Sequence, residues 1–283
     1  MLAYLFCFCF MPMGGIVIAF KDFKYPKGIF GSSWVGIKHF KYFFESRDAF
    51  KVIGNTIGYG ISFYIIGAIA AIFVALLLYE IKSRRALKVY QTAYTLPNFI
   101  SWVLVAYIGY TLLSSDFGVI NQALRMFGLE PVKWYSEPKY WGIILAIFSV
   151  WQSVGMNSII YYAALMGVDE SLIEAAKLDG ANYRQRVRYV LFPSVLPVVS
   201  VLSILAVGTV MNGNFGLFYQ VPMDSGALYS ATDIIQTYVV RGLIAGNISQ
   251  TAAVGLFQSA VGLVLVVAAN LTVRKINPEN AMF

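Results

Sequence analysis

Apolar residues along the chain fall into six long, unbroken runs separated by shorter polar stretches, at about 1–20, 53–79, 89–113, 140–166, 190–211 and 251–273. About 30 Å of hydrocarbon is crossed at 1.5 Å per residue, so a helix of roughly 20 apolar residues spans it. Each run therefore predicts a membrane-spanning helix, the first with Pro12 inside it. The runs do not alternate with period two, which excludes barrel strands. No tandem repeat or low-complexity segment interrupts the pattern. The expected fold class is an all-α polytopic membrane protein, one transmembrane domain over residues 1–283.

Composition narrows the reading further. Hydrophobic residues make up 59% and charged residues 12%, against about 45–50% and about 25% in soluble domains. A soluble chain and a disordered one are both excluded. The net charge of +7 resides in the gaps between apolar runs. Apart from a cluster at 82–88, no stretch alternates base with aromatic, so nucleic acid is not an expected partner. The first run lacks a basic leader and a small-residue cleavage site, so it reads as a span and not a signal peptide. It starts inside apolar sequence, and a basic tail upstream is expected.

Lys and Arg in the connections set orientation. Lys82, Arg84, Arg85, Lys88, Lys177, Arg184, Arg186, Arg188, Arg274 and Lys275 give ten on one side, against eleven on the other. The count does not decide; the dense 82–88 cluster favours its own side as the inner one.

Candidate chemistry is sparse. His39 is the only histidine and has no second ligand nearby, so neither a metal site nor a nucleophile-and-base set is expected. Cys7 and Cys9 read as apolar fillers. Gly54 and Gly58 have the spacing that permits close helix approach. The connection 213–249 is long enough for an outer helix, either a plug or a contact for another protein. Polar and aromatic side chains within spans are costly unless they face a cavity or a partner. Asn98 and Trp102 in the third span, Trp151, Gln152 and Asn157 in the fourth, and Asn212 and Asn214 beyond the fifth are therefore candidate pathway residues. Amides with aromatic faces suit a sugar; interhelical packing is the competing role. All 14 acidic residues lie in connections or at span ends. An ion-coupled secondary transporter would want them inside spans, so it stands as the alternative. A membrane-embedded enzyme lacks its catalytic set.

Residues 167–197 read as a short helix, a turn and a second helical stretch. Asp169 or Ser171 can cap the first helix, and Ser171 and Glu174 have capping-box spacing. Leu172, Ala175, Ala176 and Leu178 make a narrow apolar stripe, and Asp179-Gly180 ends the helix with glycine free to take positive φ. Arg184, Arg186 and Arg188 mark a wet surface before Pro193 and Pro197 open the fifth span. An amphipathic helix on the lipid surface and a protein-docking segment both fit.

The order Glu174-Ala175-Ala176, Gly180 after three further residues, and Pro193 closing a Val-Leu-Phe-Pro run after nine more resembles the EAA signature of permease subunits of binding-protein-dependent ABC importers. That family ordinarily has Ile at the place of Val190 and Leu at that of Phe192. The stretches at 14–24, 34–40, 96–108 and 251–275 are similar to the LplB-like branch of carbohydrate permeases in the maltose-type group. The resemblance implies six transmembrane helices with a cytoplasmic coupling helix, in a bacterial cytoplasmic membrane. It implies a second homologous permease subunit, two cytoplasmic ATPase subunits and an extracytoplasmic solute-binding protein as partners. It makes Glu174, Ala175, Ala176, Asp179, Gly180, Arg184, Arg188 and Pro193 the coupling residues. No phosphate-cradling G-x-x-x-x-G-K-[ST] run occurs. ATP and Mg are thus expected on the partner ATPases, with no cofactor on this chain.

Overall fold

A computed structural model describes residues 2–276. The chain opens with α1 (Phe6–Phe20), whose first half is exposed all round; Met1 of the expected first span lies outside the described residues. A two-residue hairpin follows, β1 (Lys21–Asp22) antiparallel to β2 (Ser33–Trp34), with Lys21 opposite Trp34. Helix α2 (Lys38–Glu45) leads through Ser46 into α3 (Arg47–Tyr79), which starts earlier than its apolar run.

The third expected span is broken. Helix α4 (Arg84–Thr95) passes through a tight turn at Leu96–Phe99 into α5 (Trp102–Leu113), and the two meet at 95°. Pro97 cannot donate a backbone hydrogen bond, and Ser101 starts a new helix by accepting from Leu104 N at 3.4 Å. Continuous hydropathy conceals such a break. After α6 (Val119–Met126) come α7 (Trp141–Met166), the short α8 (Glu170–Leu178), α9 (Tyr183–Thr209), α10 (Ile235–Ile244) and α11 (Ile248–Ile276). Four described helices are long and apolar enough to cross a membrane, or five with the bent pair taken as one.

Helix α9 joins the expected second helical stretch and the fifth span into one helix. It contains a wide π-turn at Val187–Leu191 immediately before Pro193, whose ring excludes the ordinary bond to the carbonyl four residues back. The helix thus runs unbroken past Pro193 and Pro197.

Three buried clusters hold the helices together. One, at the far end from α8, joins Val105, Trp141 and Leu145 to Leu217, Phe218, Val221, Leu228 and Ile234 of the 213–249 segment. That segment is a folded cap on the helix ends. A second joins Ala71, Ala75, Tyr161, Leu165, Leu191 and Val195 to Ile173 of α8. The third packs Phe43, Val52, Met211, Ile235 and Val254. Close approach does not use the Gly54/Gly58 pair, where an added Cβ meets nothing within 4 Å. It occurs at Gly60, where a Cβ would lie 2.5 Å from Val210, and at Gly155, where it would lie 1.8 Å from the Tyr94 carbonyl oxygen. Ile61, Ile65, Ile69 and Phe73 on α3 and Ile143 and Ile147 on α7 stay exposed, as lipid- or partner-facing residues do.

Candidate functional site

Two features stand out, one at the α8 end and one along the long helices. Asp169 caps α8 by accepting from Ser171 N at 2.9 Å. This bond, followed by one from the Ser171 side chain, holds the Asp169 carboxyl below its ordinary value. At the other end, Ala181 N donates to Ala176 O at 2.9 Å and Gly180 N to Lys177 O at 3.1 Å. Those paired bonds form a Schellman stop, with Gly180 left-handed at φ 77°. Asn182 and Gln185 then form a reciprocal capping box that starts α9, a signal the sequence carried and the reading above passed over.

Ile173 alone of α8 is buried, inserted between the ends of α3, α7 and α9. It fixes the helix to the body. Glu174, Ala175, Asp179 and Gly180 are exposed and Ala176 is half-buried, while Leu172 is 56% and Leu178 89% exposed. The helix thus presents Glu174, Ala175 and the two leucines outward, with no covering residue among those described. Arg184, Arg188 and Pro193 are exposed on the first turns of α9, and Arg188 lies over the Tyr189 ring at 5.7 Å.

The second feature is a polar wall along α3, α7 and α9. A cavity of about 200 Å³ holds Thr56, Tyr59, Ser149, Thr209, Asn214 and Phe218. A neighbouring cavity of about 270 Å³ holds Ser153, Asn157, Tyr161 and Leu202. Phe63, Tyr64, Ala206 and Thr209 line both, so the two adjoin. The Tyr64 hydroxyl is 2.8 Å from Ser203 Oγ. Tyr59, Phe63 and Phe218 form an aromatic cluster, with ring centroids 5.0–5.9 Å apart. Neither lining contains an Asp, Glu, Lys or Arg among the described residues. Hydroxyls, amides and ring faces in an uncharged wall are the groups that hold a neutral polyhydroxylated solute.

The expected pathway residues divide between wall and scaffold. Asn157 and Asn214 line the wall, though Asn214 also accepts from Leu217 N at 3.1 Å. Gln152 donates to the Ile100 carbonyl at 3.3 Å, satisfying a group exposed by the α4–α5 break. Trp102 packs under Gly216, where a Cβ would come within 2.1 Å of the indole. Asn212 accepts from Gln258 at 3.2 Å. Trp151 lies in an apolar depression with Ile143, Ile147 and Val150 that adjoins the wall at Tyr59 and Phe63, and Asn98 sits half-buried in the tight turn. Tyr59, Phe63, Tyr64, Ser149, Ser153 and Thr209, not singled out in the sequence, also line the wall. Their signal was present as Thr56, Tyr59/Gly60, Phe63/Tyr64 and Gly67 on one face of α3, and Ser149, Ser153 and Asn157 on one face of α7.

The far-end cap is fastened by charge. Arg241 Nη1 contacts Asp224 at 3.1 Å and its Nη2 contacts the buried Asp233, with the guanidinium 4.0 Å over the Tyr229 ring. Asn55 of α3 donates to the Asp233 carbonyl at 3.0 Å, and Ile235 N donates to Thr56 Oγ1 at 2.9 Å. His39 is buried, with Nε2 3.1 Å from the Lys21 carbonyl oxygen; Cys7 and Cys9 are exposed.

An uncharged wall along long apolar helices, with an outward-facing helix at one end, is the arrangement of a membrane permease. The chain belongs to the binding-protein-dependent transport system inner membrane component family, whose family model matches residues 64–279. It is 36% identical over 280 residues to the polygalacturonan/rhamnogalacturonan transport system permease protein YteP of Bacillus subtilis, covering 98% of this chain and 86% of that one. It is 33% identical over 279 residues to Protein LplB of the same organism, covering 98% and 87%. Among solved structures, a bacterial ABC transporter for import of the acidic polysaccharide alginate superposes at TM-score 0.88 with 30% identity, covering 98% of this chain and 93% of that one. The chain is a membrane-embedded ABC import permease of the cell membrane, as the EAA-like segment implied.

Proposed function

We propose that this chain is a non-catalytic permease subunit that forms half of the pathway for an oligosaccharide and couples to a separate ATPase. The observation that carries the reading is α8, pinned by Ile173 while Glu174, Ala175 and Leu178 face outward. A helix presented in that way fits a groove on another protein. Closure of two cytoplasmic ATPases, with ATP and Mg bound to them, is passed through Ile173 to α3, α7 and α9, and these alternate the access of the wall between them. Glu174 supplies the polar contact of the docked helix, Ala175 and Ala176 the close approach, and Gly180 the turn. Asp179 ends the helix, Arg184 and Arg188 flank it, and Pro193 sets the π-turn that follows. A second, homologous permease supplies the other half of the wall. An extracytoplasmic binding protein delivers substrate to the far end; a solved neighbour of this fold was captured with an alginate-pentasaccharide-bound periplasmic protein.

The substrate class rests on the wall's uncharged hydroxyl, amide and ring chemistry, and on the polysaccharide-related names of the relatives. Right-side-out proteoliposomes that hold the whole complex, loaded with ATP, should accumulate labelled oligosaccharide delivered by the binding protein. Accumulation driven by an ion gradient without ATP would contradict this reading.

A further inference from the structure

Helix α4 has no role in the scheme above, yet its two faces differ sharply. Arg84, Arg85, Lys88, Gln91, Thr92 and Thr95 occupy one face at helical spacing, and Ala86, Leu87, Val89, Tyr90, Ala93 and Tyr94 the other. Its last turn is fixed, because the Tyr94 carbonyl presses on Gly155 of α7. The first two turns are not packed away: Val89 is 66% exposed and Tyr90 is also exposed, and even in the last turn the Tyr94 side chain stays exposed. Between this helix and the end of α3 lies a groove of about 260 Å³ lined by Val74, Leu77, Leu78, Ile81, Tyr90 and Tyr94. Lys82 directly follows the groove residue Ile81. Lys82, Arg84, Arg85 and Lys88 are all exposed, and none forms an ion pair among the described residues.

The groove opens where α3 ends at Tyr79, which packs on the cluster that holds Ile173 of α8. This is the level at which an apolar span meets the aqueous surface. An apolar slot at the end of the span, with Lys82 at its mouth and the long side chains of Arg84, Arg85 and Lys88 reaching from the adjoining face of α4, matches one ligand chemistry: an acyl chain joined to a phosphate. We propose that the α3–α4 groove and the Lys82–Lys88 cluster bind one anionic phospholipid of the leaflet on the α8 side. Its acyl chain lies along Leu77, Ile81 and Tyr90, and its phosphate meets Arg84, Arg85 and Lys88. The zwitterionic choline headgroup carries no net charge, so it does not answer four unpaired cations. Bound lipid would brace α4, and through Gly155 it would brace α7, one of the three wall helices.

The test uses the assembled permease complex in detergent, titrated with fluorescent phosphatidylglycerol or phosphatidylcholine of the same chain length. Saturable binding that favours phosphatidylglycerol is expected. Each lost cation should weaken it about fivefold, so Arg84→Gln, Arg85→Gln and Lys88→Gln together should weaken it roughly a hundredfold, whereas Arg84→Lys with Arg85→Lys should retain it. Leu77→Trp fills the groove with every cation kept, and should also weaken binding. Equal binding of the two lipids, or unchanged phosphatidylglycerol binding in the triple variant or in Leu77→Trp, would overturn the proposal. So would release of the ATPase subunits from the triple variant with lipid binding intact, which would make the cluster a protein-docking surface. Lipid binding is read without substrate, so a failure of the transport reading leaves this result separate.

Discussion

Gly180 is the position at which a small covalent change should separate coupling from folding. Its φ of 77° is left-handed, and the stop it makes is held by bonds to the carbonyls of Ala176 and Lys177. A Cβ added there meets nothing within 4 Å, so no clash contributes, and the whole cost is backbone conformation. For an L-residue that cost is about 1–2 kcal/mol, with a β-branched side chain at the upper end. About 2 kcal/mol reduces the ratio of formed to unformed turn roughly thirtyfold. The body has no reason to respond, since Gly180 is exposed and the anchor Ile173 lies two turns away. Gly180→Val should therefore reach the membrane and pair with the second permease normally, yet lose ATPase subunits on purification and lose most ATP-driven uptake. Gly180→Ala should fall between, and Gly180→Asn, which tolerates the left-handed region, should stay near wild type. The assay is ATPase subunit recovered per permease, together with uptake in vesicles. If Gly180→Val keeps full ATPase recovery and full uptake, the turn does not position a docking helix and the reasoning is wrong.

Three further outcomes follow from the same geometry. Gly155→Ala puts a Cβ against the Tyr94 backbone and should cost at least about 1–3 kcal/mol, read as a lower melting temperature of the solubilised protein, whereas Gly58→Ala, with open space around it, should not. Asn157→Ala, on the exposed face of the wall, should lower uptake and leave ATPase attachment intact; loss of attachment would place Asn157 in the scaffold instead. The depressed Asp169 carboxyl stabilises the start of α8 at pH values above its ordinary value of 3.8, and this contribution disappears as pH falls through its lower folded value. The protection factor of the Ser171 amide, its exchange corrected for the intrinsic pH dependence, should accordingly fall on acidification in wild type and already be lower at neutral pH in Asp169→Ala, where the cap is absent.

Some of this architecture was legible from the chain, and the illegible parts share a cause. The α8 segment was readable because its signals are local: a capping aspartate, a glycine stop and a fixed spacing to Pro193. The break between α4 and α5 was hidden because hydropathy averages over a window and takes no account of a bend. The continuity of α9 was hidden because Pro193 and Pro197 read as a boundary between the second helical stretch and the fifth span, whereas the helix runs on past them after a π-turn. Of the polar and aromatic candidates, Asn157 and Asn214 line the wall whereas Gln152, Asn212 and Trp102 contact neighbouring segments, a division that polarity alone does not make. Tyr64 and Thr209 were overlooked because a single hydroxyl barely alters the apolar character of a span. Their facing across α3 and α9 is a tertiary fact.

The coupling role of α8 is tested most directly by joining it reversibly to its proposed partner. In a complex otherwise free of reactive cysteine, Ala175→Cys on the exposed face of α8 is paired with single cysteines placed along the groove of the ATPase subunit. Disulfide yield is measured together with uptake, before and after reduction. High yield at a few adjacent groove positions, with uptake arrested by the bond and restored by reductant, is the result expected. Absence of cross-linking at every groove position in a complex that still transports would contradict the account.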